Sequence, residues 1–275
     1  MRTELISIET DTTPLDGAFH WPEHRPLRGA VLLFHGNTMN FYVGAPRFLA
    51  PVLTELGFAC LAFNRRGHDI LSVRDSRAAE GGAFQRTSEG VADNNHAAAW
   101  LADRGFSAPV VIGHSNGGML GTIHVSEHPE TPALILLSAH RGGGIEHTRN
   151  SQRMLAGDRF AEAFESAKAL VAAGKGSELI LFPGWWYVLS AESMVDRFTT
   201  MPHTLDLAPR IKCPVLYVRG DQEAKEPYPA EDFAARAGGP CDVEIVPNCD
   251  HFYRGREAAI QSIVTKWLAG VYRSK

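Results

Sequence analysis

Cysteine is scarce and unpatterned. Four residues in 275, Cys60, Cys213, Cys241 and Cys249, form no C-x-x-C pair. That excludes a thiolate metal ribbon or a vicinal redox pair and fits a reduced, cytoplasmic protein. Neither sign of charge dominates: 27 Lys and Arg stand against 31 Asp and Glu, for a formal net charge of −4. Such a balance gives nucleic acid or an anionic membrane no electrostatic reason to bind. No apolar run approaches the eighteen or so residues of a membrane helix. The opening MRTELISIETDTTPLDG also lacks the long apolar core of a secretory signal. The phosphate-cradling patterns G-x-G-x-x-G and G-x-x-x-x-G-K-S/T are missing, and no histidine or cysteine cluster has zinc-ligand spacing. Neither a cofactor nor a metal is therefore expected.

What the chain does have is rhythm. With 275 residues, 44% of them apolar, it can form one large domain or two modest ones with a sizeable core, and short apolar runs alternate with longer helical patterns. GAVLLFHG, FACLAFNRRG, APVVIGHS and PALILLSA read as buried strands. Between them lie the helical APRFLAPVLTELG, Ser88 to Asp103, and Gly117 to Glu127. Later, CPVLYVRG and CDVEIVPN are strands around a helical PAEDFAARAGG, and Glu257 to Leu268 closes the chain as an amphipathic helix. Strands this apolar, separated by helices, require a parallel sheet covered on both faces, hence an α/β, doubly wound, mostly parallel architecture. The rhythm breaks over residues 141–210, expected to be a mostly helical cap inserted between late strands of a core formed by 1–140 and 211–275.

One pentapeptide carries chemistry. Gly113-His114-Ser115-Asn116-Gly117 sits after a strand and before a helix. There a sharp turn presents the serine hydroxyl above the sheet, and the residues two before and two after it must be small. A serine nucleophile needs a base, and the base needs an orienting acid. His251, in VPNCDHFY after the last strand, is placed to be the base. His96 and His124 fall in helices, and His140, His147 and His203 lie in or beside the insertion; each is expected to be a solvated or structural histidine. The turn VLYVRGDQE offers two carboxylates, Asp221 and Glu223, and geometry alone leaves either able to reach an imidazole. In the insertion, Trp185, Trp186 and Tyr187 could line an apolar or aromatic substrate pocket or anchor the cap to the sheet. Arg65, Arg66 and Arg141 are read as structural or solvated rather than substrate-binding.

Together these features resemble the α/β-hydrolase superfamily over almost the whole chain. LLFHGN is similar to its H-G-x segment after the third strand, FNRRGHD to its R-G-x-G turn with Asp69 where glycine is usual, GHSNGG to its nucleophile elbow, and CDHF to its histidine loop. The resemblance implies an acid three residues after the glycine ending the seventh strand; counted from Gly220 that is Glu223, with Asp221 the alternative. It also implies an oxyanion hole from the backbone N–H groups of Asn37 and Asn116. The expected function is hydrolysis of a small-molecule carboxylic ester through an acyl-serine. Alternatives are other acyl or C–C bond hydrolases, such as a lactonase, thioesterase, amidase or meta-cleavage-type enzyme, and a non-catalytic binding protein on the same scaffold.

Overall fold

The computed structural model describes residues 1–73, 79–144, 159–182 and 187–272. Ten strands are formed: β1 (Arg2–Ile8), β2 (Leu15–Trp21), β3 (Gly29–Phe34), β4 (Phe58–Phe63), β5 (Val110–His114), β6 (Leu134–Leu137), β7 (Leu179–Leu181), β8 (Val188–Ser190), β9 (Val215–Gly220) and β10 (Cys241–Val246). The helices are α1 (Gly44–Glu55), α2 (Thr87–Ala102), α3 (Asn116–Glu127), α4 (Phe160–Ala172), α5 (Ala191–Thr199), the short α6 (Thr204–Leu207), α7 (Ala230–Arg236) and α8 (Glu257–Val271).

Eight strands make one sheet in the order β1-β2-β4-β3-β5-β6-β9-β10. β1 pairs antiparallel with β2, and β2 with β4; every pairing from β4 onward is parallel. Side chains alternate across the sheet, so Leu32 and Phe34 join one core while Val31 and Leu33 join the other. Ala97 and Leu101 of α2 and Val125 of α3 cover the first face. Leu49 and Leu53 of α1, with Ile260, Val264 and Leu268 of α8, cover the second. The helical spacing of those last three is what turns one stripe of α8 inward.

β1 and β2 add an antiparallel margin beyond the strands expected from sequence, with Leu15 and Phe19 of β2 buried in the core. Arg2, Glu4 and Leu5 of β1 are exposed, because an edge strand lacks a covering layer. Between β6 and β9 the chain supplies α4, the β7–β8 hairpin, α5 and α6, so strands accompany the expected helices. Phe160, Phe164, Phe182, Tyr187, Met194 and Phe198 form a separate apolar cluster there. Asp196 ties this segment to the sheet layer by accepting from Thr87 N and Oγ1 at 2.6 and 2.8 Å. Ser190 N adds a bond to Ala83 O at 2.7 Å. Among the described residues no helix is long and apolar enough to cross a membrane.

The chain leaves β3 toward β4 on one side and returns to β5 on the other. The carboxyl ends of β3 and β5 therefore flank a crevice where strand order reverses, the place where open α/β sheets bind ligands.

Candidate active site

At the end of β5, Ser115 has φ 55° and ψ −120°, a conformation costing a non-glycine residue about 1–3 kcal/mol. The neighbouring glycines permit it. A Cβ on Gly113 would stand 2.3 Å from Gly117 O, and one on Gly117 would stand 2.4 Å from both Phe34 O and His35 O. Ser115 N donates to Leu137 O at 2.9 Å, while Ser115 O accepts from Gly118 N, Met119 N and His140 N. Asn116 is the first residue of α3, so its N–H lies outside the helical ladder.

His251 reaches this serine from the loop after β10. Its Nε2 is 3.0 Å from Ser115 Oγ and its Nδ1 is 2.6 Å from Glu223 Oε1. Glu223 Oε2 accepts from Gly220 N at 2.8 Å and from Ser138 Oγ at 2.5 Å, and Ser138 Oγ lies 2.7 Å from the Tyr253 hydroxyl. The carboxylate side chain is only 3% exposed, against 21% for the imidazole. Burial, reinforced by the Glu223 charge, pushes the Tyr253 and Tyr228 hydroxyls above their ordinary range, so both remain neutral donors.

Asp221 is placed differently. It is exposed, and its Oδ1 accepts from Cys249 N at 3.1 Å. Backbone amides of Asn248 and Cys249 hold its carboxyl below the usual range. It pins the histidine loop rather than the imidazole. Gly220 serves the same join, since a Cβ there would meet Cys249 O at 2.2 Å.

The His251 ring lies between two others, with centroids 4.9 Å from His114 and 4.8 Å from Tyr228. His114 Nε2 donates to His251 O at 2.8 Å. Burial first, and then the neighbouring His251, pushes the His114 pKa down to about 3, so this ring stays neutral.

On the other side of the crevice, a Cβ on Gly36 would lie 3.3 Å from Ser115 Cβ, which sets the Asn37 turn beside the serine. His35 shapes that turn: it is buried, its Nε2 accepts from Arg65 N at 3.1 Å, and its Nδ1 pairs with Gly36 O at 2.8 Å. Asn37 Nδ2 donates to the Tyr187 hydroxyl at 2.9 Å and Asn37 Oδ1 accepts from Arg197 Nη2 at 3.3 Å. Tyr187 thus buries its ring in the insertion's cluster, stacked on Phe182, and turns its hydroxyl to the turn after β3. Trp185 and Trp186 lie outside the described residues. Arg65 donates to His35 O, Arg66 pairs with Asp93, and Arg141 pairs with Glu226.

The structure therefore brings Ser115, His251 and Glu223 into one hydrogen-bonded line, sets Asn37 and Asn116 beside the serine, and keeps Asp221 apart from the imidazole. Sequence reasoning missed Ser138, Tyr228, Tyr253 and Arg197. Ser138 follows a strand and Tyr253 the histidine, but no spacing rule distinguishes them from ordinary core or loop residues.

Residues 31–260 match the model of the alpha/beta hydrolase family. No curated protein matches the chain in sequence. Among solved structures, Est1E from Butyrivibrio proteoclasticus is similar with a TM-score of 0.73 at 18% identity, covering 98% of this chain and 99% of that one. A highly thermostable carboxyl esterase from Bacillus coagulans gives 0.71 at 15%, with 98% and 99% covered. A dienelactone hydrolase from Anabaena variabilis gives 0.62 at 16%, with 98% and 97% covered.

Proposed function

The chain belongs to the α/β-hydrolase family, and we propose that it is a serine hydrolase cleaving a small-molecule carboxylic ester through an acyl-Ser115 intermediate. The observation carrying this reading is the relay itself: 3.0 Å from Ser115 Oγ to His251 Nε2 and 2.6 Å from His251 Nδ1 to Glu223 Oε1. Each distance lies within hydrogen-bond reach, the first requirement for a nucleophile and its base.

The geometry supports the following steps. His251 Nε2 takes the Ser115 proton as Oγ bonds to the carbonyl carbon. Negative charge builds on the carbonyl oxygen, where the N–H groups of Asn37 and Asn116 would receive it; one such donor is worth about 10²–10³ in kcat. The N-terminal end of α3 favours the same charge. Collapse expels the alcohol, protonated by His251. Water, deprotonated by His251, then attacks the acyl carbon, the acid leaves, and the proton returns to Ser115. Glu223 holds the Nδ1 proton in place throughout and stabilises the imidazolium.

Intact-mass analysis after fluorophosphonate treatment tests this directly. A single adduct on wild type, absent from Ser115→Ala, is expected, followed by turnover of simple esters. A folded wild type that takes no adduct and hydrolyses no ester overturns the reading.

A further inference from the structure

Arg197, on α5 of the insertion, brings a guanidinium to the turn beside Ser115. Nη1 donates to the Tyr187 hydroxyl at 2.7 Å and Nη2 to Asn37 Oδ1 at 3.3 Å. Both acceptors are neutral. No ion pair links Arg197 to any carboxylate among the described residues. Its neighbour Asp196 is engaged elsewhere, accepting from Thr87 and from Thr200 Oγ1. Of the other arginines on this side, Arg86 is matched with Glu89 and Glu192 and Arg141 with Glu226, while Arg65 is fully buried behind the turn with its guanidinium on His35 O, out of reach of a ligand.

A partly buried cation without a counter-charge carries a desolvation cost that an incoming anion would offset. Arg197 also lines a small pocket with Asn116 and Met119, which it shares with Arg86 and with Asp196, whose carboxylate is taken up by Thr87 and Thr200, so the Arg197 charge adjoins both residues assigned to the oxyanion hole. The field extends across the site. After burial, the charges of Arg141 and Arg197 lower the pKa of His140, whose backbone N–H holds Ser115 O, to about 3.

We propose that Arg197 is a specificity-determining residue that receives a carboxylate carried by the substrate, a few bonds from the scissile carbonyl. The preferred esters are then those with a free carboxylate, half-esters of dicarboxylic acids among them. This rests on the serine-hydrolase reading above. A carboxylate could take the guanidinium fork bidentately while leaving Tyr187 and Asn37 in contact with the turn, a geometry a lysine cannot reproduce.

The test uses matched esters of similar size: monomethyl glutarate against methyl pentanoate, and 4-acetoxybutanoate against pentyl acetate. Wild type should favour at least one anionic member by tenfold or more in kcat/KM, chiefly through KM. Arg197→Gln should remove that preference, raising the KM of the anionic ester about 10–100-fold and changing the neutral ester less than about threefold. Arg197→Lys should keep part of it. The inference is overturned if wild type shows no preference for either anionic ester. It is equally overturned if Arg197→Gln slows neutral and anionic esters alike through kcat, the mark of a residue that only positions Asn37. A turnover-independent arm separates the two readings: glutarate binding to Ser115→Ala should weaken tenfold or more when Arg197→Gln is added. Loss of ester turnover with that binding difference intact would refute the hydrolase reading alone. No difference in glutarate binding refutes the anion site.

Discussion

Replacing Glu223 by glutamine changes one atom and, on the proposed mechanism, should nearly abolish turnover. The reason lies in what surrounds the second carboxylate oxygen. Glu223 Oε2 accepts from the Gly220 backbone N–H at 2.8 Å, a donor that cannot rotate away. The glutamine must therefore keep its carbonyl oxygen on that side, and its NH2 group faces His251 Nδ1. An NH2 there can only donate, so the imidazole has to place its proton on Nε2, the atom that must accept from Ser115 Oγ. The side chain keeps its shape, and the base is locked in the wrong tautomer. Such a swap typically costs about 10⁴ in kcat, or about 5 kcal/mol of transition-state stabilisation. Asp221→Asn, by contrast, alters an exposed group whose oxygen accepts from Cys249 N at 3.1 Å, and the amide oxygen can still accept. Its kcat should stay within a few-fold of wild type. Parallel kcat and KM measurements on a 4-nitrophenyl ester, with enzyme concentration fixed by absorbance at 280 nm, check both. A crippled Asp221→Asn beside an active Glu223→Gln would refute the assignment.

Other perturbations test neighbouring parts of the same argument. Ser115→Ala should lose nearly all activity while keeping its melting temperature, whereas Ser115→Gly should lose activity and melt higher, because it releases the positive-φ conformation; a lower-melting glycine variant would contradict the strain. Gly117→Ala should fail to fold or lose several kcal/mol in a urea titration, since its methyl would sit 2.4 Å from two carbonyl oxygens. Acid should destabilise the fold early. His114 and His124 are held neutral, with pKa values pushed down to about 3 and about 4 by burial, while unfolded histidine titrates near about 6.5. The unfolded chain therefore binds more protons below that value. Each group then removes up to about 1.4 kcal/mol of stability per pH unit as pH falls toward its folded pKa, with no contribution above pH 7. Denaturant titrations between pH 7 and 4 should show this slope, reduced in His124→Asn; a flat profile would refute it.

The sheet was legible because its central strands are buried on both faces. FACLAF and LILL contain no polar residue, so apolar runs alone mark them. β1 was not, because RTELISI lies at an edge whose exposure leaves no periodic pattern. The serine was legible for a local reason, steric demand written as glycine. Glu223 and Asp221 could not be separated by reading one turn, since what distinguishes them comes from far along the chain: Ser138 from the end of β6, and the Cys249 amide from the histidine loop. Arg197 left no signature at all. Its place depends on how the insertion folds back over Asn37, and a single arginine in an amphipathic helix is unremarkable in sequence.

The bond from His114 Nε2 to His251 O has a consequence for tolerance. A side chain carried on a loop would ordinarily wander with that loop, yet here the backbone of His251, the proposed base, is fastened to the residue immediately before Ser115. The bond sits next to the 3.0 Å gap between Ser115 Oγ and His251 Nε2, so elbow and histidine loop are joined where that gap is set. A change at position 114, far from any contact with Glu223, would remove that tie and let serine and histidine drift independently.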